Sequence, residues 1–412
     1  MRHITLKLML ALLSIFLIST TAFAAKENTV STNPNTVNVG TAMPLANTPK
    51  PPVILPPPPA IDAKSYVLMD YQTGQILASK NMHQERAPAS LTKLMTLYIT
   101  FSAIDSDQIK LNDKVQISKT AWQTGGSRMF INVGSFVPVK DLIQGVIVDS
   151  GNDATVALSE YIAGSQKAFV PLMNQQAKAL GMKNTHYSDV NGLPVKDHYS
   201  SAYDLALLTR ATIHNYPDQY HWFKEKYFTW DKIKQTNRNW LLFRDPSVDG
   251  LKTGHTKAAG YCLISSAKRD GMRLITVVMG TPTEEARVDT SERLLNYGFR
   301  FFQTYNIYQA NTPITQARVW GGERSKVGMG LAQALTLSIP KGQYSQLNIK
   351  VELNGTIHAP VVKDQSYGTV TVSLKGKVLA KKPIIALEND PEGGLWTRFT
   401  DAISLKFHKW FS

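Results

Sequence analysis

Cysteine is almost absent from this chain of 412 residues, with Cys262 standing alone. An intrachain disulfide is therefore excluded, and stability has to come from packing. Cys262 lies in the apolar run Tyr261-Cys262-Leu263-Ile264, which reads as buried core and not as a reactive thiol. The nine histidines show no metal-ligand spacing, so no metal is expected, and no motif asks for a cofactor. Internal repeats, heptads and arginine-rich runs are missing as well. The formal net charge of +14 comes from scattered lysines. It suits an anionic phospholipid face or a polymer carrying free carboxylates, and nucleic acid is not expected as a partner.

Long apolar runs are missing everywhere except at the start. Arg2 and Lys7 precede an apolar stretch over residues 8–18, followed by small residues ending Ala22-Phe23-Ala24. This predicts a secretory signal over residues 1–24, cleaved after Ala24. An uncleaved anchor is the alternative, but the stretch is short for a membrane span. Residues 25–61 are rich in Asn, Thr and Pro and end in Pro51-Pro52 and Pro56-Pro57-Pro58-Pro59. They predict an extended linker with no packed core.

Folded sequence is expected from residue 62. Residues 65–69 and 76–78 predict a hairpin, and Pro88 announces a helix with apolar residues Leu91, Leu94, Met95, Leu97 and Tyr98 at helical spacing. Further helices are expected over 153–162, 167–180, 202–214 and 284–305, with strands near 252, 261–267 and 274–279. Strands flanking a helical middle predict an α+β domain over 62–308 with a mainly antiparallel sheet. Short runs at 335–339, 347–353 and 369–374 then predict a small all-β domain over 309–388. Residues 389–412 form a tail in which Leu395, Trp396, Phe399, Ala402, Ile403, Phe407, Trp410 and Phe411 recur in three- and four-residue steps. That pattern predicts an amphipathic helix lying in a membrane interface, released from the β domain by Gly393-Gly394.

Three short motifs carry chemistry. In Ser90-Leu91-Thr92-Lys93 the hydroxyl and the amine are three residues apart and share one helix face. Serine is a weak nucleophile and needs a base as it attacks a carbonyl. Lys93 can serve if burial and a second positive charge, for which Lys252 is the candidate, lower its proton affinity. Ser150-Gly151-Asn152 offers a hydroxyl able to relay a proton and an amide able to hold Lys93 and substrate. Lys252-Thr253-Gly254 reads as a strand edge where Gly254 permits close approach and Lys252 and Thr253 meet a carboxylate.

Together with His255 and Thr256, Ser150-Gly151-Asn152-Asp153-Ala154 and the stretch from Gly192-Leu193 to Tyr199-Ser200-Ser201-Ala202, these motifs resemble those of low-molecular-mass penicillin-binding proteins of the D-alanyl-D-alanine carboxypeptidase type, peptidase family S11. The likeness runs from about residue 60 to the C-terminus. It implies a β-lactamase/DD-peptidase-like serine transpeptidase fold followed by a small β-sandwich. It also implies an acyl-enzyme that removes the terminal D-alanine from peptidoglycan stem pentapeptides and is acylated by β-lactam antibiotics. Under the resemblance Ser90 is the nucleophile, Lys93 the base, and Ser150 and Asn152 the relay and positioning pair. Lys252, Thr253, Gly254 and His255 form the substrate-binding strand, Ser90 and His255 N–H groups the oxyanion hole, and Arg287 lies near the substrate carboxylate. The implied location is the periplasmic face of the bacterial inner membrane.

A β-lactamase shares the acylation machinery but needs a further base for deacylation. Glu160 and Glu225, the glutamates between Ser150 and Lys252, lack the required loop context. An endopeptidase of cross-linked peptidoglycan stays open as an alternative. A non-catalytic wall-binding protein is disfavoured, because it has no need of Ser90, Lys93 and Lys252 together.

Overall fold

The computed structural model describes residues 55–411, with side chains up to residue 405. The expected signal over 1–24 and the leader as far as residue 54 lie outside the described residues. The leader's end is docked, for Tyr297 donates from its hydroxyl to the Pro56 carbonyl at 3.0 Å.

Alternation along the strands decides the layering. In β1 (Ser65–Asp70), Val67 and Met69 enter one apolar cluster while Tyr66 and Leu68 enter another. Successive side chains point to opposite faces, so a strand buried on both faces must be covered twice. β1 pairs with β2 (Ile76–Lys80) as the expected hairpin. The other strands are β3 (Val248–Thr256), β4 (Gly260–Arg269) and β5 (Met272–Thr281), in the antiparallel order β2-β1-β5-β4-β3. β3 is an edge.

One face carries the helical middle, including α1 (Lys93–Asp105), α2 (Asn152–Ala163), α3 (Gln166–Ala179) and α4 (Ala202–Asn215). The other face carries α5 (Glu284–Phe301), whose Val288, Leu294 and Leu295 pack on Leu68, Leu263 and Leu274. Ser165, Ser201 and Thr283 each accept an N–H bond at the start of α3, α4 and α5, which fixes where these helices begin. Cys262 is fully buried in the helix-side cluster, as expected.

The helix expected over 284–305 stops earlier. At Phe302 the chain turns into β6 (Phe302–Tyr308), which pairs with a later strand, Leu335–Pro340. The Phe-Gln-Thr-Tyr-Asn-Ile-Tyr run has high strand propensity, and tertiary pairing claims it.

The C-terminal part is all-β. β7 (Thr315–Trp320), β8 (Lys326–Gly330), β9 (Leu335–Pro340), β10 (Leu347–Leu353), β11 (Ile357–His358), β12 (Ser366–Leu374) and β13 (Lys377–Ala386) form a six-stranded sheet in the order β10-β12-β13-β8-β7-β11 and the β6-β9 ribbon. Val319, Met329, Ile339, Val370, Val372 and Ile384 form its core. Thr73 and Ser338 hydroxyls meet at 2.9 Å, and Thr304 donates to Asp70, so polar contacts join this part to the β1-β2 turn.

α6 (Leu395–Phe411) forms as predicted, but the glycine pair does not free it. Gly393 donates to the Gly321 carbonyl at 2.8 Å, and Asp401 accepts from Arg318 and from the Gly321 N–H at 2.7 and 2.8 Å. Gly393 also lies so close to Gly322 that a Cβ would meet its carbonyl oxygen at 2.5 Å. Gly393 therefore serves close packing, whereas a Cβ at Gly394 would meet nothing within 4 Å.

Candidate active site

Ser90 sits in a 3-10 turn, Ala89–Thr92, that runs straight into α1. The turn is clamped by two glycines. At Gly192, which has φ +89°, a Cβ would lie 1.9 Å from the Ala89 carbonyl oxygen. At Gly254 of β3 it would lie 3.0 Å from the Pro88 carbonyl oxygen and 3.2 Å from the Leu91 nitrogen. Glycine is required at Gly192 and gives a tight fit at Gly254, because loop and strand pass against the backbone that presents the nucleophile.

Lys93 is fully buried and donates from Nζ to Ser90 Oγ at 2.9 Å and to the Asn191 carbonyl at 2.8 Å. Burial, the largest cause, brings its pKa down to about 7. Arg238 pushes the same way, while Asp189 and Asp153 oppose. Sequence reading offered Lys252 as the cationic neighbour of Lys93; the two lysines do feel each other's charge, and Arg238 adds to it. A neutral amine on that 2.9 Å line accepts the Ser90 hydroxyl proton, and an ammonium cannot.

Ser150 follows a π-helical turn, Gly145–Asp149, in the left-handed conformation at φ 57° and ψ 34°. That backbone turns its hydroxyl toward β3, where Lys252 Nζ donates to Ser150 Oγ at 2.8 Å and to the Thr253 carbonyl at 3.2 Å. Lys252 is also fully enclosed, and burial, then the Lys93, Arg238 and Arg287 charges, hold its pKa well below the usual lysine value. Each lysine thus reaches one of the two hydroxyls, Lys93 that of Ser90 and Lys252 that of Ser150.

Asn152 departs from expectation. Its Nδ2 donates to the Gly125 carbonyl at 2.6 Å, so the amide fastens the neighbouring loop, and Lys93 is held instead by Asn191. Thr253 and Gly254 are buried, whereas His255 is exposed and stacks on Tyr261 with ring centroids 4.0 Å apart. Arg287 is buried behind the strand, where it pairs with Glu284, donates to the Arg238 carbonyl at 3.3 Å and lies over the Tyr261 ring.

Several supporting residues escaped sequence reading. Asp189 accepts from the N–H groups of Asn191, Gly192 and Leu193 at 2.9, 2.5 and 3.0 Å, which shapes the loop carrying the Lys93 acceptor. The sequence Asp189-Val190-Asn191-Gly192 has the marks of an Asx turn and was the available signal. Asp153, wholly buried, accepts from Met129 and Phe130 N–H groups, each at 2.9 Å. Thr92 meets His198 Nε2 at 2.8 Å while Ser188 N–H donates to His198 Nδ1 at 3.0 Å, so Nε2 carries the proton of a neutral ring. Burial agrees, bringing the His198 pKa down to about 4. Glu160 and Glu225 are occupied by Ser118 and Gln144 and offer no base to the cleft.

Comparison with known proteins agrees with this geometry. The family profile described as D-alanyl-D-alanine carboxypeptidase matches residues 52–283, and that described as penicillin-binding protein 5, C-terminal domain, matches residues 302–392. The chain is 45% identical over 360 residues to the D-alanyl-D-alanine carboxypeptidase DacC of Escherichia coli, covering 85% of this chain and 90% of that one. It superposes on penicillin binding protein 5 of Haemophilus influenzae with a TM-score of 0.79 and 42% identity, covering 81% and 99% of the two chains. The ampicillin-bound penicillin-binding protein D2 of Listeria monocytogenes matches with a TM-score of 0.55 and 31% identity over 59% of this chain and all of its own. The chain therefore belongs to the S11 family of serine peptidases and is a D-alanyl-D-alanine carboxypeptidase of the penicillin-binding type.

Proposed function

We propose that Ser90 is the nucleophile and Lys93 its base, acting on the D-Ala-D-Ala end of a peptidoglycan stem pentapeptide. The observation that carries this reading is the 2.9 Å contact between Ser90 Oγ and a wholly buried Lys93 whose pKa is near 7. Neutral Lys93 takes the hydroxyl proton as Oγ bonds to the penultimate D-alanine carbonyl. The peptide C–N bond then breaks, Ser150 relays a proton from Lys252 to the departing amine, and free D-alanine leaves. Water hydrolyses the ester and restores Ser90, and the proton taken by Lys93 passes to Lys252, so that both amines regain their starting states.

Lys252 and Thr253 receive the terminal carboxylate, and the N–H groups of Ser90 and His255 face the oxyanion. A peptide can lie along the free edge of β3 by main-chain pairing. Arg287 acts from behind the strand by adding positive charge. A β-lactam carries an acyl group and a carboxylate in comparable positions, so it acylates the same Ser90. A fluorescent penicillin should label the protein covalently, and persistent labelling of Ser90→Ala would overturn the assignment. A synthetic pentapeptide ending in D-Ala-D-Ala should release free D-alanine.

The enzyme is further proposed to be exported by its first 24 residues and held at the periplasmic face of the inner membrane by α6. Supporting the anchor, Leu395, Trp396 and Phe399 are exposed by 85%, 79% and 60%. Such a face meets an interface better than water. Among the described residues no helix is long and apolar enough to cross a membrane.

A further inference from the structure

The proposed chemistry makes two opposite demands on neighbouring amines. Lys93 must be neutral to accept a proton while Lys252, which feels the Lys93 charge, must stay an ammonium to hold a carboxylate and feed Ser150. Burial works against the second demand. So do Lys93, Arg238 and Arg287, which all lower the proton affinity of Lys252. Asp149 works the other way.

Asp149 is the residue immediately before Ser150, at the end of the π-helical turn whose left-handed exit aims Ser150 at Lys252. Only 1% of it is exposed, and its Oδ1 is buried without a hydrogen-bond partner. A carboxylate kept in a wall without a bond to that oxygen acts by charge and not by contact.

We propose that Asp149 is a positioning residue that serves as counter-ion to Lys252, keeping it protonated while Lys93 is neutral. The inference rests on the substrate-binding role assigned above to Lys252. The charged groups that act on Asp149 are Asp153 on α2, Arg238 after the short hairpin of residues 227–236, and Lys252 on β3. Burial and Asp153 raise the Asp149 pKa to about 7, against Arg238 and Lys252. The carboxylate is accordingly charged on the alkaline side of neutrality, where Lys252 most needs it.

The sign is fixed. Lys252 loses its proton as pH rises, and removing a nearby anion lets it do so at lower pH. The test is the pH dependence of kcat/KM for D-alanine release by the full chain and by Asp149→Asn, a substitution that keeps shape and removes charge. The alkaline limb of Asp149→Asn should move to lower pH, with kcat/KM at pH 9 falling about tenfold or more relative to wild type. Asp149→Glu, which restores the charge, should return the limb toward its original position. A uniform loss at every pH, or an unmoved limb, overturns the proposal. In Lys252→Arg, whose guanidinium does not titrate, the limb should vanish from penicillin acylation, and adding Asp149→Asn should not bring it back. If the limb persists in Lys252→Arg, the reading of Lys252 itself fails; if it vanishes there yet stays put in Asp149→Asn, only the counter-ion fails.

Discussion

The cleft and the tail break the ordinary partition of residues in opposite senses. The cleft encloses charge, with Lys93, Lys252, Asp149 and Asp153 all withdrawn from solvent. The tail exposes apolar surface, with Leu395, Trp396 and Phe399 turned outward. Both are costly in water, and both are therefore candidates for function. What differs is the source of the effect. In the cleft, low dielectric makes each charge reset its neighbours' proton affinities, so the site works as one electrostatic unit. In the tail the gain comes from area, which adds nearly residue by residue.

Single substitutions should expose that difference, beginning with the largest effect. Ser90→Ala or Lys93→Met should lower D-alanine release by about 10³-fold or more, since nucleophile and base act as a unit. The pentapeptide assay measures it, and comparable activity in either variant would break the electrostatic account. Next comes Gly192→Ala. Its φ of +89° and its approach to Ala89 predict a loss of about 2–4 kcal/mol in thermal unfolding, with slower acylation. Gly376→Ala in the β domain is the control, where φ is +81° but nothing lies within 4 Å of a Cβ, and about 1 kcal/mol is expected. Equal losses would mean that packing against the nucleophile turn adds nothing.

On the tail side, Trp396→Asp should weaken binding to anionic vesicles about tenfold in a flotation assay while peptide turnover stays as it was. If the tail is the anchor, as proposed, deletion of residues 395–412 should move the protein from the membrane to the soluble fraction. Retained vesicle binding after that deletion would place the membrane contact elsewhere.

Sequence reading reached the cleft's vocabulary but not its grammar. Ser90 and Lys93 were legible because helical spacing is local, and α1 to α4 because apolar residues recur there in helical steps, whereas the short elements over 114–144 went unread. Asn152 was read as a Lys93 partner, yet its amide binds Gly125, a contact set by how a loop crosses α2. Asp189 and Arg238 act through space on Lys93, and Asp149 on Lys252, each across roughly 100 residues of chain or more, and no spacing rule encodes a field. The end of α5 was misplaced for a related reason, since the partner of β6 lies beyond a long stretch of chain. Gly393-Gly394 was read as a hinge because glycine marks both flexibility and close packing, and composition cannot tell the two apart.

The central claim is that Lys93 acts as a neutral amine. The direct measurement is the rate of Ser90 acylation by benzylpenicillin as a function of pH in the full-length enzyme. Burial of Lys93 predicts half-maximal acylation near pH 7, with the rate falling about tenfold for each further unit of acidification, because only the unprotonated fraction accepts the hydroxyl proton. A rate independent of pH between about 5 and 8, or one rising only toward the ordinary lysine range near 10.4, would contradict it.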